Sequence, residues 1–194
     1  NDEALEYYNK AIDLCKKNTR DHAFTLSNVG HYYLNKGEFN NSLNSFREAL
    51  EIVGNDELQK VYLLHNIGRS LFYLGKYESA LEIINQSIVL QNKLQSDKLE
   101  LTHYIMIQLI QKSQNKYIDK EEIKRFITKI NKKYPKDVEY YENQYILYIL
   151  LEDSSYLARA NEKIINFSSH FPNYDYKKGY ITSQIIEEYN KVFK

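Results

Sequence analysis

The stretch VYLLHNIGRSLFYLGKYESALEIINQSIVLQNKL, Val61 to Leu94, reads as two amphipathic helices joined at Leu74-Gly75-Lys76-Tyr77. Laid over AFTLSNVGHYYLNKGEFNNSLNSFREALEI, which begins at Ala23, its landmarks coincide at one offset. Gly30 falls on Gly68 and Gly37 on Gly75, since 68 − 30 and 75 − 37 are both 38; Asn28 falls on Asn66 and Phe39 on Tyr77. A helical hairpin is therefore repeated. Such a unit buries its apolar face only by stacking on its neighbours, so the spacing predicts an all-α array of stacked hairpins.

The rest of the composition fits that expectation. A chain of 194 residues holds one domain with a substantial core, or about five hairpins of this period. Nothing in it requires a second domain. With two prolines and six glycines, long stretches stay open to helix, and no Gly/Ser-rich or Pro-rich linker interrupts them. The 26 lysines and arginines balance the 26 aspartates and glutamates. No net field then gathers nucleic acid or an anionic membrane, and no direct nucleic-acid binding by this fragment is expected. Apolar runs such as Tyr145 to Leu151 fall well short of the roughly 20 residues of a spanning helix. The N-terminus has neither the basic nor the apolar region of a signal peptide, so a soluble, cytoplasmic protein without membrane association is expected. The single Cys15 has no internal disulfide partner and is expected to be buried beside Ala11, Ile12 and Leu14 as a small hydrophobe. Nineteen tyrosines without a tryptophan suit a half-wet groove as well as a core, because the ring is apolar and its tip is not.

Taken in order, residues 1–18 form a second helix whose first helix is missing. Ala4, Tyr8 and Ala11 stand 38 residues before Ser42, Phe46 and Ala49. The chain is accordingly expected to be a fragment of a longer protein. Residues 22–55 and 56–95 are the two clear repeats. In each, a glycine that can take a positive φ ends the first helix (Gly37, Gly75), and an aromatic (Phe39, Tyr77) opens the second. Gly30 and Gly68 lie inside the first helices, where glycine costs roughly 1 kcal/mol against alanine; close approach of the paired helix is the expected reason. Asp56 with Gln59, and Asp119 with Glu122, look like capping boxes. Residues 96–135 and 137–172 are degenerate repeats. Ser96 and Ser154 are the expected helix caps, Pro135 and Pro172 the stops, and Met106 stands where the earlier copies have glycine. That pair of helices is expected to sit further apart or to tilt. Residues 174–194 are expected to form a capping helix.

The pattern Leu26, Val29, Gly30, Tyr33, Gly37, Phe39, Ser42, Phe46, Ala49, answered by Leu64, Ile67, Gly68, Leu71, Gly75, Tyr77, Ala80, Ile84, Ser87, resembles the tetratricopeptide repeat. Both copies depart from it by lacking the first aromatic and the closing proline, and by a period of 38 where the family has about 34. The difference is close to one helical turn, so the same face still meets the neighbour. The resemblance implies a right-handed superhelix of hairpins whose first helices line a concave groove. It also implies that the groove receives a short peptide or an extended protein segment. Carried over by alignment, that role falls on Asn28, His31 and Asn35, then His65, Asn66, Arg69, Phe72 and Tyr73, then His103, Tyr104 and Ile107.

An asparagine amide donates and accepts at once, so it can hold a peptide's N–H and C=O together. Bonding to the adjacent repeat is the alternative role for Asn28 and Asn66. Asn66→Ala is expected to weaken binding by roughly 1–3 kcal/mol with little change in melting. Arg69 offers a carboxylate contact or, equally, a surface ion pair. His65 and His103 recur in register without a carboxylate or cysteine at ligand spacing, so no metal or other cofactor is expected. No nucleophile motif, phosphate loop or catalytic carboxylate pair stands out, and an enzyme is not expected. The lysines at 129, 132, 133 and 136 are best read as favourable charge at a helix C-terminus.

The longer period, the asparagines and the Tyr, Asn, Lys and Ile-rich composition resemble the sensor domains of Gram-positive peptide-pheromone receptors, the Rap, PlcR, NprR and PrgX group. That resemblance implies the peptide-sensing part of a bacterial transcriptional or signalling regulator in quorum sensing, with a homodimer among its expected assemblies. The alternative is an assembly scaffold or co-chaperone-like adaptor that holds a partner protein's segment. A single arginine among the groove residues disfavours capture of an acidic chaperone tail.

Overall fold

The computed structural model describes residues 2–134, 140–170 and 179–194, with side chains from residue 5 onward. Among these residues all regular structure is α-helical: α1 (Asp2–Leu14), α2 (Arg20–Lys36), α3 (Phe39–Ile52), α4 (Glu57–Tyr73), α5 (Tyr77–Lys93), α6 (Glu100–Ser113), α7 (Lys120–Lys133), α8 (Tyr141–Leu151), α9 (Ser154–His170) and α10 (Tyr180–Phe193). The chain divides into two compact units, Asn1–Lys98 and Leu99–Lys194.

In the first unit the helices pack in chain order, α1 on α2, α2 on α3, α3 on α4 and α4 on α5. Gly37 and Gly75 end α2 and the α4 turn at φ +76° and +72°, where a side chain would meet its own backbone. Around each, two N–H groups return to the last turn: Gly37 N to Leu34 O and Glu38 N to Tyr33 O, Gly75 N to Phe72 O and Lys76 N to Leu71 O. These close the helix ends, so Phe39 and Tyr77 start the return helices as the sequence leads one to expect. The N-termini are held by Thr19, which accepts from His22 N, and by Asp56, which accepts from Gln59 N. Asp56 also pairs with Arg20 at 3.0 Å, tying the start of α2 to the start of α4.

The two interior glycines have the cause proposed for them. A Cβ on Gly30 would lie 2.7 Å from the Phe46 ring, and one on Gly68 would lie 2.5 Å from Ile84 Cγ1. Phe46 and Ile84 are both wholly buried, so neither has space to yield. Within the hairpins and between them, hydroxyls join the helices. Ser87 donates to Val61 O at 2.7 Å, and Ser42 and Ser70 lie 3.0 Å apart across α3 and α4.

The second unit is built differently. Here α8 packs on α6 and α9, α10 packs on α9, and α7 meets α6 over only a short stretch. Between α6 and α7, Tyr104 and Phe126 stack face to face at 3.9 Å, and Met106 is buried. The Tyr104–Phe126 stack lies between the two helices, which meet over a much shorter stretch than α2 with α3 or α4 with α5, in line with the expectation that this pair sits further apart or tilts. At the far end of α8, Glu152 takes a left-handed φ of +59° and is held by Lys112 at 3.1 Å and Lys120 at 2.7 Å. Lys112 also donates to Ile149 O at 2.6 Å, capping carbonyls that a helix end leaves bare.

Several local expectations change. Cys15 lies just past α1, half-buried with its Sγ 3.6 Å from Thr25 Oγ1, and Leu14 beside it is 87% exposed. Ser96 caps nothing: its N–H donates to Gln91 O in the turn that closes α5, and α6 starts at Glu100. Asp153, and not Ser154, caps α9, accepting from Ser155 N at 2.9 Å. A carboxylate one residue earlier outcompetes the hydroxyl because its charge also favours the helix N-terminus. Asp119 does cap α7, accepting from Glu121 and Glu122. Pro135, Lys136, the expected start of a helix at Asp137, Pro172 and the expected start of the last helix at 174 lie outside the described residues.

Candidate functional site

On a helix, positions 24, 28, 31 and 35 share a face, as do 62, 66, 69 and 73. These are matching faces of α2 and α4, 38 residues apart. They carry Phe24, Asn28, His31 and Asn35 on one helix and Tyr62, Asn66, Arg69 and Tyr73 on the other.

The structure brings the middle of this face together as a chain of polar contacts. Arg69 Nη1 meets Asn66 Oδ1 at 3.4 Å, and Asn66 Nδ2 meets His31 Nε2 at 3.4 Å across α4 and α2. The His31 ring sits edge-on to Phe46 of α3, 5.0 Å between centroids. Burial, and then the Arg69 charge, lower the His31 pKa from 6.5 to about 4. Asn66 is only 6% exposed. Its amide is therefore engaged by the neighbouring repeat and by Arg69, which was the alternative role, and its truncation must cost stability as well as any binding. Its counterpart Asn28 is half-buried and Asn35 is exposed.

The remaining residues of the expected groove are spread more widely. Tyr73 stacks on Phe39 of the preceding repeat at 4.8 Å, while Phe72 leans on Tyr77 at 5.7 Å and helps close its own hairpin. His65 is buried at 4% exposure, within the helix packing and not on the open face. His103, Tyr104 and Ile107 belong to the second unit. His103 is 2% exposed, and burial lowers its pKa to about 4. Tyr104 packs against Phe126, and burial followed by Glu122 and Asp119 raises its pKa. Ile107 is half-buried.

Two residues of the open face escaped the sequence reasoning, Phe24 at 61% exposure and Tyr62 at 37%. A signal was present. They too stand 38 apart, one turn before Asn28 and Asn66, so each repeat offers an exposed aromatic beside an amide. Among the described residues no helix is long and apolar enough to cross a membrane, and no group of three or more His, Cys, Asp or Glu is placed to hold a metal ion.

Residues 21–93 match the family model of the tetratricopeptide repeat. The matched stretch covers the two glycine-spaced hairpins from α2 to α5 and carries the face just described, and repeats of this type generally mediate protein–protein interactions. No curated protein matches the chain.

Proposed function

We propose that the shared face of α2 and α4 binds a short peptide or an extended segment of a partner protein, and that this domain is the peptide-sensing part of a bacterial regulator. The observation that carries the binding proposal is the repetition, at one offset, of an exposed aromatic (Phe24, Tyr62) and a polar group one to two turns on (Asn28, His31 and Asn66, Arg69). An extended ligand needs apolar side-chain contacts and backbone hydrogen bonds; the two aromatics offer the first, and the more accessible amides of Asn28 and Asn35 the second, Asn66 being engaged by His31 and Arg69. A peptide seated across both hairpins favours the arrangement of helices that fits it, and a population shift of this kind is how a sensor passes on its signal. The regulator role rests on the lengthened repeat and its asparagines.

The test starts from a peptide selected from a library against the 194-residue chain, titrated into variants. Asn28→Ala and Phe24→Ala, at accessible positions, are expected to lose roughly 1–3 kcal/mol of binding with melting nearly unchanged. Asn66→Ala is expected to lower both affinity and melting temperature. Full affinity in the Asn28 and Phe24 variants would remove this face from consideration. A DNA-binding domain encoded upstream of the chain, or a short peptide gene beside it, would support the regulator.

A further inference from the structure

The contacts among His31, Asn66 and Arg69 have a fixed direction. A guanidinium only donates, so the Asn66 atom facing Arg69 is the carbonyl Oδ1, which leaves the amide Nδ2 facing His31 Nε2. Nδ2 is a donor without a lone pair to give, so Nε2 must accept and the imidazole must be neutral. Adding a proton to Nε2 sets two N–H groups against each other. Turning the Asn66 amide around to greet the imidazolium would set Nδ2 against Arg69 instead. In either orientation one of the two Asn66 contacts sets donor against donor once His31 is charged.

From α4 the charge facing the ring is Arg69, of like sign, and from α3 the neighbour is the apolar edge of Phe46. On the other side, α1 meets α2 through Tyr8 and Tyr32, 6.2 Å apart, and Gly30 next to His31 is closed in by the same Phe46 ring.

We propose that His31 is an acid-operated latch between the first helices of the two full repeats: the neutral ring holds α2 to α4 through Asn66, and protonation breaks that link and loosens the face bearing Asn28 and Arg69. This goes beyond the binding proposal and does not depend on what the face binds. The low His31 pKa, about 4 against an ordinary 6.5, sets the window. A loosened state takes up a proton below about pH 6.5 while the latched state resists until about 4. The link is therefore fully effective near neutrality and weakens progressively as pH falls from 6.5 towards 4.

The decisive experiment is amide hydrogen exchange on the full chain at pH 7 and pH 5, corrected for the intrinsic effect of pH. Protection in α2 and α4 is expected to fall about tenfold on acidification. In His31→Gln the side-chain oxygen still accepts from Asn66 but binds no proton, so this fall should disappear. An equal fall in both proteins overturns the latch. Should His31→Gln fail to fold, an NMR titration of the wild-type His31 ring gives the answer independently: titration near 4, accompanied by shifts in the α4 amides around Asn66, supports the latch, and titration near 6.5 overturns it.

Discussion

The hairpins of the first unit and the α6–α7 pair of the second solve the same packing problem in opposite ways. At Gly30 and Gly68 the missing side chain lets Phe46 and Ile84 press onto helix backbone. At position 106, again 38 residues on from 68, stands a buried methionine, the Tyr104–Phe126 stack lies between α6 and α7, and the two helices meet over only a short stretch. Helix ends diverge as well. Between the paired helices of the first unit glycine takes the left-handed turn at Gly37 and Gly75, whereas in the second Asn115 follows α6 and Glu152 follows α8 in that conformation, Glu152 held by two lysines. A repeat can therefore decay in sequence while each unit keeps a packed core, provided volume removed at one position is supplied at another.

That contrast is open to attack at its strongest point first. Met106→Gly, which writes the first unit's solution into the second, is expected to destabilise by roughly 3–6 kcal/mol, because truncating a buried methionine costs about 2–5 kcal/mol and glycine inside a helix about 1 more. Chemical denaturation followed by circular dichroism measures this. A loss below about 1 kcal/mol would mean that α7 simply closes onto α6 and that Met106 does not set the spacing. The reverse exchange, Gly68→Ala, forces a methyl into Ile84 and is expected to cost roughly 1–3 kcal/mol despite alanine's better helix propensity. A neutral result in the same denaturation assay would show that the close approach at Gly68 is not needed.

The smallest effect concerns Glu152. Hydrogen bonds from Lys120 and then Lys112 hold its pKa at about 2 against an ordinary 4.5. A depressed carboxylate contributes stability that is complete above its unfolded pKa and is lost as pH falls from about 4.5 towards 2. Glu152→Gln should therefore flatten melting temperature against pH in that window and lower it slightly at every pH above it. High salt should mimic the substitution near neutrality, because these groups are exposed and screened.

Much of this could be read from the chain. The offset of 38 gave the hairpins, their glycine stops at Gly37 and Gly75, the aromatic starts at Phe39 and Tyr77, and the close approach behind Gly30 and Gly68, because each is a local consequence of residue type at a known helical position. The candidate site was legible only as a face. Spacing placed Asn28 and Asn66 equivalently, yet one is half-buried and the other 6% exposed. The partner that distinguishes them, His31, lies on another helix. The caps at Ser96 and Ser154 went astray because Ser96 is drawn into the turn that closes α5 while α6 starts only at Glu100, and because the Asp153 carboxylate, one residue before Ser154, takes the N–H of Ser155. The low pKa of His31 also had no sequence signature, as it arises from burial and from Arg69 brought up by α4.

By itself the sequence determined that this protein is all helix, that its first half is a repeated hairpin, and where those hairpins turn. These follow from periodicity and from the φ that glycine alone adopts without strain. Only the tertiary structure decided that α8 packs on α6 while α7 stands off, and that Asn66 is spent on His31 and Arg69. Such choices depend on which side chains from distant parts of the chain compete for one volume and one set of hydrogen bonds. That competition is settled only when the helices are in place.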